Sequence, residues 1–91
     1  MKNENERKEH LRFIVKEICA IDGKSVKISK REGVVSLDLM YYTRKKFEEF
    51  SNKRYWFGID LKWSTEAEYT NSKKELLRVK LFLNKCKREE V

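Results

Sequence analysis

No proline interrupts this chain of 91 residues, and only three glycines occur, at positions 23, 33 and 58. Proline and glycine are the strongest local punctuators of backbone structure. The stretches between them must therefore be regular elements, and the few breaks mark where elements end. Leu11, Ile14, Val15 and Ile18 fall at the spacing of one apolar helical stripe. That spacing predicts a helix from about Asn5 to Ala20. Asp22-Gly23 is expected to stop it, because glycine supplies the left-handed residue at which many helices end. Residues 1–9 are nearly all polar and are expected to fray.

Past the first glycine the period changes. Val26 and Ile28 alternate with Lys27 and Ser29, and Val35, Leu37 and Leu39 alternate with Ser36 and Asp38. Two alternating runs joined by Arg31-Glu32-Gly33 read as a hairpin. Thr43 has the chemistry of a helix N-cap, and Phe47 and Phe50 follow at helical spacing. A second helix is expected to end near Trp56, before Gly58. Beyond it, Ala67 and Tyr69 read as one strand and Thr70-Asn71-Ser72-Lys73 as a turn. Leu77, Val79, Leu81 and Leu83 alternate with Arg78, Lys80 and Phe82 and read as a last strand. The same run also fits a helical wheel through Leu76, Leu77, Lys80, Leu81 and Asn84. The expectation is one α+β domain over residues 1–91, ordered α-β-β-α-β-β. It is a two-layer sandwich with two helices on one face of a small antiparallel or mixed sheet, and residues 85–91 trail as a loose tail.

Lysine and arginine number 22 against 15 acidic residues, a formal charge of +7. Such a charge bears on partners, not on fold, and favours nucleic acid or an anionic membrane surface. No run of about 20 apolar residues is present to cross a bilayer, and no signal-peptide pattern opens the chain. Cys19 and Cys86 are far apart and form no metal-binding spacing with the single His10. A reducing, cytoplasmic setting is the expectation. Asp38 with Asp60-Leu61-Lys62 has the outline of a metal-dependent nuclease, which needs two carboxylates on one metal and a lysine near the attacking water. The outline arises easily in a lysine-rich chain, so a nuclease stands only as an alternative. The chain carries no Gly-rich phosphate loop and no nucleophile–base pair. No enzyme, cofactor or small-molecule substrate is expected.

The basic clusters are more informative. They are Lys24 with Lys27, Lys30 with Arg31, Arg44 with Lys45 and Lys46, Lys53 with Arg54, and Lys73 with Lys74. Residues 41–56 alone hold five basic and six aromatic side chains. Cations in the first turn of the second helix oppose its dipole, and a cost taken there points to a use such as phosphate neutralisation. Phe47, Phe50 and Trp63 are assigned to the core. Trp56 is a candidate for stacking on an unpaired base.

Four stretches, taken in order, resemble the eukaryotic large-subunit ribosomal protein twenty-two family. They are "IDGK" (21–24), "VKISKREGVVSLDL" (26–39), "YTRKKFEEFSNKRYW" (42–56) and "NSKKELLRVKLFL" (71–83). The resemblance runs from about Leu11 to Leu83. It implies a structural component of the large ribosomal subunit, with ribosomal RNA and neighbouring ribosomal proteins as partners. It also implies RNA contacts at Arg44, Lys45 and Lys53, and it favours a strand for the last segment. The chain departs from the family at Asn52, Trp56 and Phe57, where the family carries lysines. Set against the family, the stretch of residues 1–91 is expected to be without the family's basic leading tail and first strand and its acidic closing tail. The Alu-binding subunits of the signal recognition particle are the alternative, as small RNA-binding modules that begin with a helix followed by strands. Their last element is a helix, so residues 75–84 discriminate between the two.

Overall fold

The computed structural model describes residues 2–31, 34–51 and 58–89. Among these residues three helices and three strands follow in the order α1 (Glu4–Asp22), β1 (Val26–Arg31), β2 (Val34–Leu39), α2 (Arg44–Ser51), β3 (Gly58–Leu61) and α3 (Glu66–Glu89). The protein is α+β, with one antiparallel sheet in the strand order β1-β2-β3.

Helix α1 starts earlier than its apolar stripe suggests. Asn3 Oδ1 accepts from the Glu6 backbone N–H at 2.8 Å, and the Glu6 carboxylate reaches back to Asn3 N. This reciprocal cap satisfies two backbone donors that a helix start leaves open. Glu4 and Glu6 in the first turn also suit the helix dipole. Residues 4–9, expected to fray, are therefore helical. At the other end Gly23 is not left-handed: its φ is −67°. Glycine is favoured there by space, because a Cβ would lie 2.9 Å from the Cys19 carbonyl oxygen.

The hairpin forms as its alternation predicts. Val26 pairs with Leu39, Ile28 with Leu37 and Lys30 with Val35, and Leu37 and Val35 pair on with Ile59 and Leu61 of β3. Cross-strand partners share a face. Leu37, Leu39, Ile59 and Leu61 thus meet the core, while Lys27, Ser29, Ser36, Asp38 and Asp60 lie on the other face. Strand β3 was not anticipated from the sequence.

The larger correction concerns the C-terminal third. Residues 66–89 form one helix, where a strand, a turn, a second strand and a loose tail were expected. Thr65 Oγ1 accepts from Glu68 N and Glu68 Oε1 accepts from Thr65 N, both at 3.1 Å, a second reciprocal cap. Tyr69, Ser72, Leu76, Val79, Leu83 and Cys86 recur every three or four residues and are buried. Leu77 and Leu81, which a strand would turn inward, are 42% and 62% exposed.

Helices α1 and α3 run side by side in the same direction. Arg7 faces Glu66, His10 meets Tyr69, Glu17 binds Lys80 at 3.0 Å and Asp22 faces Lys87. Their inner stripes close on the strands to form one core around Leu11, Ile18, Leu37, Leu76 and Leu83. Helix α2 is capped by Thr43, whose Oγ1 accepts from Lys46 N at 3.1 Å. It joins the core through Phe47 and Phe50, which pack edge-on against Phe82 of α3 with centroids 5.2 and 5.5 Å away. Ser72 Oγ accepts from Lys62 N and donates to Lys62 O, tying the end of β3 to α3.

Candidate nucleic-acid interface

Lys8, Arg12 and Lys16 stand four residues apart on α1, beside the apolar stripe that carries Leu11 and Val15. An (i, i+4) spacing stacks side chains on one face of a helix. The stripe rims a groove between α1 and the sheet, with a volume of about 450 Å³. Lys30 adds a fourth cation from β1, and the floor includes Val15, Ile28, Leu61 and Trp63. Among the described residues no carboxylate lines this groove. Arg12 touches Glu9 at 3.3 Å, with both side chains more than half exposed. Such a surface pair is worth little and leaves the guanidinium available. The Lys8 ammonium lies 5.9 Å from the Trp63 ring centroid, a cation–π placement.

Arg7 has a different task. Its guanidinium donates to the carbonyls of Trp63 (2.7 Å), Ser64 (2.9 Å) and Lys2 (2.8 Å). It ties the start of α1 to the loop before α3 and thereby holds Trp63 at the groove.

The residues singled out from the sequence are not gathered into one surface. Lys24 is exposed in the turn after α1, near Tyr41 and Tyr42. Lys27 lies on the outer face of the sheet, opposite Asp38. Lys45 and Lys46 are exposed on α2, with Lys46 Nζ 5.8 Å from the Tyr42 ring. Lys73 and Lys74 sit within α3, not in a turn, and Lys73 Nζ lies over the Tyr69 ring at 5.3 Å. Arg31 and Arg44 occupy β1 and α2, but their side chains lie outside the described residues, as do Lys53, Arg54 and Trp56. Among the members of the set whose side chains are described, only Lys30 lines the groove. Lys8, Arg12 and Lys16 were missed, although their four-residue spacing was legible once residues 4–9 were read as helix.

Acidic groups collect elsewhere. Asp60, Glu68 and Glu75 border a small cavity between β3 and α3 with Lys62. Strands β1 and β3 are the two edges of the sheet, so Lys30 of the groove rim and Asp60 of the acidic cluster lie on opposite edge strands. On the sheet's outer face Asp38 and Asp60 occupy diagonal positions, since Asp38 pairs with Gly58 and Ser36 with Asp60. The Ser36 hydroxyl donates to Asp60 at 2.6 Å. Among the described residues no group of three or more potential metal ligands is present, and no helix is long and apolar enough to cross a membrane.

A half-buried polar knot closes the far end of α1. The Ser25 and Tyr42 hydroxyls donate to Asp22 Oδ2 at 2.6 and 2.7 Å, and the Lys87 ammonium is 3.9 Å away. The Ser25 hydrogen bond holds the Asp22 carboxyl below its usual range, against the opposing pull of burial; the Tyr42 hydrogen bond and Lys87 add to the lowering. Burial, reinforced by Asp22, pushes the Tyr42 hydroxyl up to about 12.

Comparison with known proteins returned no matching family model, no matching curated sequence and no matching solved structure.

Proposed function

We propose that this protein is a non-catalytic RNA-binding module that meets structured RNA through the cationic groove between α1 and the sheet. One observation carries the reading: Lys8, Arg12, Lys16 and Lys30 surround one concavity with no carboxylate among its described lining residues. Acidic side chains gather instead at the separate small cavity between β3 and α3. Phosphate contacts of this kind position a domain on RNA without reading its sequence. In the same proposal α1 and α3 form a layer on one face of the sheet, and the groove is the opening of that layer beside α1.

Between the two ribonucleoprotein readings, the final helix favours a small independent module of the Alu-binding kind. The ribosomal resemblance asks for a turn and strand over residues 71–83, and these residues lie in α3. The stretches at 21–24, 26–39 and 42–56 still support a large-subunit ribosomal protein in the cytoplasm, which stands as the second reading.

Filter binding of the full chain to a structured RNA hairpin tests the shared core of both. Saturable binding that weakens steeply between about 50 and 200 mM salt is expected. No retention at the lower salt would overturn the proposal. Sedimentation of the native protein separates the two forms: migration with large subunits selects the ribosomal one, and migration with a small ribonucleoprotein selects the other.

A further inference from the structure

The groove is more than a charged surface, because apolar side chains line it behind the cations. Its volume of about 450 Å³ falls within the range of roughly 300–1,000 Å³ typical of ligand sites. Ile28, on the edge strand, is 46% exposed and leaves the groove open to solvent. A rim made only of cations would suffice for phosphates, so the apolar floor behind it calls for a separate occupant. Resting on the RNA reading above, we infer that the groove accepts a single unpaired keto base, guanine or uracil, extruded from a bound RNA.

The chemistry of the rim selects that class. Lysine and arginine side chains donate hydrogen bonds and accept none. Lys8, Arg12, Lys16 and Lys30 therefore match a base edge that offers acceptors. Guanine presents O6 and N7 side by side, the pair that a guanidinium engages with two parallel bonds, and Arg12 is the guanidinium on this rim. Uracil presents O2 and O4. Where guanine carries O6 and uracil O4, adenine and cytosine carry an amino group, a donor that would face like groups at that position. The body of the ring is met by Val15, Ile28, Leu61 and Trp63, which contribute dispersion and aromatic contact without reading the edge. A base paired inside an A-form helix is out of reach of such a groove, whereas a bulged or looped one can be splayed out into it.

The test uses the full chain and five RNA hairpins that share one stem and differ only in a single bulged position: guanine, uracil, adenine, cytosine or an abasic residue. The inference expects the guanine and uracil hairpins to bind about tenfold tighter than the abasic one, with adenine and cytosine, which keep the ring contact but lose the edge match, in between. Arg12→Gln should move the preference from guanine toward adenine, because glutamine engages adenine N6 and N7. Val15→Phe fills the floor and should bring every bulge to the abasic level. Arg12 is on the exposed face of α1, so its variant remains informative if the Val15 variant fails to fold. Equal, salt-dependent binding of all five hairpins would overturn this inference and leave the RNA reading standing. A base preference unchanged in the Arg12 variant would also overturn the assignment to this groove. Absence of salt-dependent binding to any hairpin would overturn both readings.

Discussion

His10 and Gly23 show how single residues acquire meaning only in the fold. From the sequence His10 belonged to a polar terminus; in the structure its Nδ1 meets the Tyr69 hydroxyl where α1 packs on α3. Burial first, then Lys2 and Lys73, hold its pKa below the ordinary 6.5. A folded pKa below the unfolded one contributes stability above pH 6.5 that is lost as pH falls through the folded value. The thermal midpoint should therefore decline on acidification below about pH 6.5, and His10→Gln should flatten that decline. A wild-type midpoint constant from pH 7 to 5 would contradict the assignment. Gly23 was read as a left-handed stop, and the stop is there for a different reason. Gly23→Ala forces a Cβ toward the Cys19 carbonyl, so a net loss of about 1–2 kcal/mol is expected in denaturant unfolding, after the gain from a stiffer unfolded chain. An unchanged or raised stability would show that the backbone shifts freely.

Elements were legible where one period stood alone. The stripe of α1 and the alternation of β1 and β2 each fit a single template, and both formed. The last third holds two periods at once. Leu77, Val79, Leu81 and Leu83 alternate, while Leu76, Val79, Leu83 and Cys86 repeat at helical spacing. The signal that decides lies upstream, in Thr65-Glu66-Ala67-Glu68. A threonine followed three residues later by glutamate is a helix-start signature, and both of its hydrogen bonds are made. Strand β3 was hidden for the opposite reason: Gly58–Leu61 is only four residues long, too short to show a period. A paired mutation distinguishes helix from strand. Leu81→Glu lies on the exposed side of α3 and should change stability by less than about 0.5 kcal/mol, whereas Leu83→Ala in the core should cost about 2–5 kcal/mol. A strand would turn both inward, and comparable losses from the two variants would contradict the helix.

At the scale of the whole molecule, composition raises the expectation of an anionic partner but does not say where on the surface one would sit. A formal charge of +7 is a sum, and only folding separates Lys8, Arg12, Lys16 and Lys30 from Asp60, Glu68 and Glu75. The densest basic run, Arg44-Lys45-Lys46, pointed to α2. The groove takes its cations from α1 and β1 and its apolar lining also from β2, β3 and Trp63, residues far apart in sequence, and no local window could display it. The measurement that tests this account most directly is the salt dependence of binding to a structured RNA hairpin. It compares the natural chain with a combined Lys8→Gln, Arg12→Gln, Lys16→Gln and Lys30→Gln variant and with a Lys45→Gln, Lys46→Gln variant. The account predicts that the groove variant binds most weakly, with a log–log salt slope flattened by about 0.7–0.9 for each phosphate no longer neutralised. A groove variant that keeps the natural affinity and slope while the α2 variant loses both would contradict it.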